Sequence, residues 1–173
     1  MNRIKTKTIT LIAIIFALAL YRLLPHPLNV TPVMAMALFS GAHFDKKVYA
    51  VLVPLLAMLL SDLIIGLHNT IFFVYFAMLI SVLLGFWLRH SISSGRVLLA
   101  SVAGSLLFFV ITNFGVWLMN DFYSKDILGL AESYLMALPF LQRSLLGDLF
   151  FNGVLFFSYH YFLVNKSKAL NAS

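Results

Sequence analysis

A chain of 173 residues that is 62% hydrophobic and only 10% charged is too apolar for water, since soluble domains carry about 25% charged residues. Its formal charge of +6 does not point to nucleic acid, because the cations sit in short clusters between apolar runs, where they set membrane topology. The absence of cysteine excludes disulfides, thiolate catalysis and thiolate metal sites.

A membrane-crossing helix needs roughly 20 apolar residues, and candidate spans fill most of the chain. Residues Asn2 to Lys7 are basic, Ile9 to Leu20 are apolar, and Ala17 to Ala19 has the small-x-small form of a cleavage site. The apolar run nevertheless continues to Leu24 and five more stretches follow, so this segment reads as a retained first span over 8–24. Pro25 and Pro27 end it, being unable to continue a helix. A short second span covers 31–43, with Pro32 suited to its first turn. Its small residues Ala35, Ala37, Gly41 and Ala42 suit close packing against neighbours. Further spans are expected at 48–67, 70–88 and 97–119. The stretch 127–141 is apolar but interrupted by Glu132 and Pro139. It reads as a surface or re-entrant helix, with full insertion as the alternative. The last span is 145–164. The fold class is therefore all-α: one integral membrane domain, a polytopic bundle of about six transmembrane helices.

The charges test that count. Arg3, Lys5, Lys7, Lys46, Lys47, Arg89, Arg96, Lys166 and Lys168 fall on one side of a six-span arrangement, and Arg22, Lys125 and Arg143 on the other. Nine against three, of the twelve present, is a positive-inside signal that makes both termini cytoplasmic. A seventh span would put the Lys166 and Lys168 tail outside, which the rule disfavours.

Given that orientation, polar side chains gather toward the outer ends of the spans: Arg22, Asp62, Thr112, Asn113, Trp117, Asp148 and Asn152, with Asn29 in an outer loop. An ionisable group in a span costs about 2.5–3.5 kcal/mol on insertion scales, so Asp62 and Asp148 need a partner or water. One reading has Arg22 and Arg143 neutralise them and pin the bundle; in particular, Arg22 is expected to pair with Asp148. The other has these groups converge on a polar ligand. Asp148 and Asn152, four residues apart, share one helix face. Tyr21, Tyr75, Tyr123 and Trp117 suit interfacial anchoring or ligand stacking. Ala13 and Ala17 form a small-xxx-small pair, which lets a partner helix approach closely. The five histidines show no metal-ligand spacing, and neither a P-loop nor a GxSxG elbow is present. No metal, no cofactor and no enzymatic activity is expected.

The run from Arg22 through Pro25, His26 and Pro27 to Pro32, with Ala37 to Ala42, Pro54 to Leu63, Thr112 to Trp117 and Leu138 to Phe150, resembles an uncharacterised family of small bacterial transport proteins. That family in turn is similar to the substrate-binding S components of energy-coupling-factor (ECF) transporters. The resemblance implies six helices, cytoplasmic termini and an outward-facing pocket for a vitamin or metal ion. It also implies docking through a first-helix small-residue pair, here Ala13 and Ala17, onto a membrane scaffold carrying ATPase subunits. The N-terminal histidine hook of the cobalt and nickel members is absent, which speaks against a metal substrate.

The expected function is a transport subunit of the bacterial cytoplasmic (inner) membrane, binding a small polar, vitamin-like solute for uptake. Arg22, Asn29, Asp62, Asn113, Trp117, Asp148 and Asn152 are its candidate binding residues, and lipid, solute and the ATPase-bearing scaffold its partners. The alternatives are a structural or assembly subunit of a membrane complex and a small ion-coupled carrier.

Overall fold

The computed structural model describes residues 2–25, 27 and 30–161, and among these it is all-helical. Six helices follow one another: α1 (Asn2–Tyr21), α2 (Val33–His43), α3 (Lys47–Ile65), α4 (Ile71–Leu88), α5 (Ser94–Met119) and α6 (Ile127–Tyr159). Three of them, α3, α4 and α5, are long and apolar enough to cross a membrane, whereas α2 is a shorter apolar helix. Large apolar side chains such as Leu56, Leu63, Phe72, Leu83, Leu99 and Val110 lie exposed on their outer faces. Contiguous apolar surface of that kind suits lipid rather than water.

The short α2 is the axis of the bundle. Every residue from Val33 to Ala42 is buried, and α2 touches each of the other five helices, which neighbour one another in the order α1, α3, α4, α5, α6. A helix apolar on all sides belongs in an interior. Its small residues permit the close approach expected of them: a Cβ built on Gly41 would sit 2.8 Å from Gly85 Cα and closer still to the Val82 carbonyl of α4. Reciprocally, a Cβ on Gly85 would run into the Leu38 carbonyl and the Gly41 Cα.

Buried backbone groups find partners across helices. Pro54 lies inside α3, and a proline there leaves the carbonyl four residues earlier without its helical donor. That carbonyl belongs to Ala50, and the buried Ser40 hydroxyl of α2 donates to it at 2.7 Å. At the end of α2, the Arg89 Nε donates to the Gly41 carbonyl at 2.6 Å, a cation at the negative end of a helix. Nearby, Lys7 pairs with Asp45 at 2.6 Å, and Arg96 lies 4.1 Å from the Trp87 ring centroid. These contacts gather the basic side chains at one end of the bundle.

The sequence divides 127–141 from 145–164, but the structure joins them in one 33-residue helix. Pro139 and Glu132 do not end it; both occupy exposed positions of the continuous helix. At 1.5 Å per residue α6 is about 50 Å long, more than the roughly 30 Å of a bilayer's hydrocarbon core.

Asp126 caps α6, its Oδ1 accepting the Gly129 N–H at 2.7 Å and the Ser124 hydroxyl at 2.8 Å. The Gly129 N–H and then the Ser124 hydroxyl hold its carboxyl below the ordinary carboxylate range. A group depressed in this way stabilises the fold above its unfolded value of about 4, and that contribution is lost as pH falls through the lower folded value. Hydrogen exchange at residues 127–130 is thus expected to accelerate selectively on acidification below about pH 4. Asp126→Asn, which caps without titrating, removes that pH dependence; unchanged acid behaviour in this variant would contradict the assignment.

Candidate functional site

At the end of the bundle opposite the basic cluster, the last turns of α5 and the first half of α6 enclose a cavity of about 540 Å³. Phe108, Phe109, Thr112, Asn113 and Val116 line it from α5, Tyr123 from the connecting loop, and Ser133, Met136, Ala137, Phe140, Leu141 and Ser144 from α6. The helical repeat puts Phe108/Phe109, Thr112/Asn113 and Val116 on one face. On α6 the same repeat aligns Ser133, Ala137, Leu141 and Ser144. The lining is aromatic and neutral polar, without an ionised side chain. Asn113 donates through Nδ2 to its own helix at Phe109 O (2.8 Å) and Thr112 to Phe108 O (2.8 Å).

Phe108 and Ser144 also line a smaller space of about 20 Å³, shared with Thr31, Val33, Met34 and Asp148. A space of that size holds one water-sized group. Asp148 is only 4% exposed and accepts a hydrogen bond from Ser105 at 2.7 Å through Oδ2. Ser105 is its partner because the packing of α5 against α6 puts 105 beside 148. Among the described residues no cationic side chain pairs with Asp148.

Arg22 pairs instead with Asp62, correcting the expected pairing with Asp148. Arg22 Nη1 donates to Asp62 Oδ1 at 2.8 Å, to the Ser61 hydroxyl and to Met58 Sδ, and Tyr75 donates to Asp62 Oδ2 at 2.9 Å. The reason lies in packing: α1 lies against α3, so the residue just past α1 meets the last turns of α3. The side chain of Asp62 is 1% exposed and that of Arg22 13%. This cluster ties α1, α3 and α4 together, and none of its members lines the α5–α6 cavities.

Asn152, one turn beyond Asp148, faces a different space. It lines a cavity of about 470 Å³ toward the basic end, with Ser93, Ser94, Ser101 and His160 among its neighbours. Its Oδ1 is buried and has no hydrogen-bond partner among the described residues. Trp117 holds the α5–α6 turn: its Nε1 donates to Ser124 O at 2.8 Å, and Lys125 donates to the Trp117 and Asn120 carbonyls. Asn29 lies outside the described residues. Of the candidate binding residues, then, the structure places Asn113 in the larger far-end cavity and Asp148 beside it, and separates Arg22, Asp62, Trp117 and Asn152 from it. Phe108, Phe109, Ser133, Phe140 and Ser144 line the same cavity unannounced; only the pairing of α5 with α6 identifies them. Ala13 and Ala17 are exposed on the face of α1 opposite the buried Leu11, Ile15 and Ala19. No three His, Asp or Glu side chains gather as a metal site among the described residues.

No curated protein and no solved structure matches the chain. One family does, described as a family of unknown function (DUF6580), over residues 2–170. The chain belongs to that family.

Proposed function

We propose that this protein is a transport subunit of the bacterial cytoplasmic membrane that captures a small polar solute from the outer side in the α5–α6 cavity. The observation carrying this reading is the cavity itself. About 540 Å³ falls within the usual 300–1,000 Å³ of small-molecule sites, which combine apolar walls with a few directed polar groups. The gathering of Lys7, Arg89 and Arg96 at the opposite end supports that end as cytoplasmic by the positive-inside rule, which turns the cavity outward. The ECF-like resemblance points the same way. With no P-loop in the chain, energy comes from a partner or an ion gradient, and the exposed Ala13 and Ala17 offer a face on which a scaffold helix packs closely.

Native mass spectrometry of gently solubilised protein tests this reading. A stoichiometric small molecule is expected to accompany the unmodified protein and to be lost in Asn113→Ala, with the elution volume unchanged. A ligand retained in full by Asn113→Ala would move the site elsewhere. An empty protein holding a stable membrane partner, and tolerating Asn113→Ala without loss of growth, would favour an assembly subunit.

A further inference from the structure

The solute's charge class follows from what surrounds Asp148, given the reading of the α5–α6 cavity as its site. A carboxylate taken out of water is stable only with a counter-charge or a dense set of donors. Asp62 has both, in Arg22 and Tyr75. Asp148, equally buried, has the single Ser105 hydroxyl among the described residues. Its surroundings from α2, α5 and α6 are Met34, Phe108 and Ser144, with Thr31 just before α2, and none of these bears a charge. The 20 Å³ space against Asp148 shares Phe108 and Ser144 with the large cavity, so a water-sized space beside the carboxylate adjoins the larger one across these two side chains. An ammonium nitrogen is of that size, and Thr31 and Ser144 add acceptors beside it. Phe108, Phe109, Tyr123 and Phe140 line the large cavity, and aromatic faces attract cations and pack planar rings.

We infer that the cavity takes a compact organic cation, an aromatic or heteroaromatic body bearing an amine, whose nitrogen neutralises Asp148. No cationic side chain lines the cavity, so carboxylate and phosphate solutes are disfavoured there: an anion would be desolvated without a counter-charge and face Asp148.

Three fragments of one shape separate charge from fit: benzylammonium, benzyl alcohol and benzoate. Their binding is measured by saturation-transfer NMR to the full chain in zwitterionic nanodiscs, with empty discs subtracted. Benzylammonium is expected to bind at least about tenfold more tightly than benzyl alcohol, a modest charge contribution, and benzoate not to bind measurably. In Asp148→Asn the ratio falls to about unity. The preference in the unmodified protein decides the matter even where that variant fails to fold. Benzyl alcohol or benzoate binding as well as benzylammonium overturns the cation inference while leaving the cavity a solute site. A preference that survives intact in folded Asp148→Asn also overturns it. Binding of none of the three removes the solute site itself.

Discussion

Replacing Gly41 by leucine is expected to yield no folded protein, and Gly41→Ala to lower stability by about 1–3 kcal/mol, the range for overpacking a close-packed interior. The added carbon would meet backbone, not a movable side-chain tip: the Val82 carbonyl and the Gly85 Cα of α4. Relief therefore requires α2 and α4 to separate, and α2 is the helix against which the whole bundle packs. Thermal unfolding in detergent, read with fluorescence-detected size exclusion, measures the effect. Gly153 provides the control, because a Cβ there meets nothing within 4 Å. Gly153→Ala should be neutral or slightly stabilising, as alanine is the better helix former. Equal loss in Gly41→Ala and Gly153→Ala would mean that the α2–α4 approach is not what makes Gly41 sensitive.

The same pair of helices shows what one sequence makes legible. Composition points to helices apolar enough to cross a membrane, as three are, and hydropathy places those three to within a few residues: 48–67 against Lys47–Ile65, 70–88 against Ile71–Leu88, 97–119 against Ser94–Met119. The small residues of α2 announce a close approach, since only missing side chains allow one. They do not say which helix approaches, or that α2 is central, because periodicity describes a helix's own face and not its neighbour. Arg22 illustrates the limit. Depth alone makes Asp62 and Asp148 equivalent partners, and only the packing of α1 on α3 chooses between them. Asn152 illustrates another: it shares a helical face with Asp148, yet one turn carries it toward a different cavity. Pro139 reads as an interruption because a lone proline signals a break, yet α6 continues through it as one helix.

Arg22→Met is expected to destabilise the bundle by about 3–5 kcal/mol, the usual cost of stripping the partner from a buried ion pair. Asp62, nearly inaccessible, would keep only Tyr75 as a donor among the described residues and has no flexible stem by which to reach water. Asp62→Leu should cost less, because Arg22 is partly exposed at the end of α1 and its long side chain can swing its charge toward the interface. The double variant removes both charges and replaces them with apolar volume, so it should recover most of the loss from Arg22→Met. Thermal melts of the four proteins give the coupling between the two sites. The matching cycle of Arg22→Met with Asp148→Asn should be additive within about 0.5 kcal/mol, as for residues without a shared partner. Strong coupling there, with additivity between Arg22 and Asp62, would restore the pairing that depth alone suggested. It would also supply Asp148 with a counter-charge from the chain and remove the reason for a cationic ligand. The two cycles thus bear on the proposed cation site as well as on stability: among the described residues one carboxylate has its charge balanced inside the fold and the other does not.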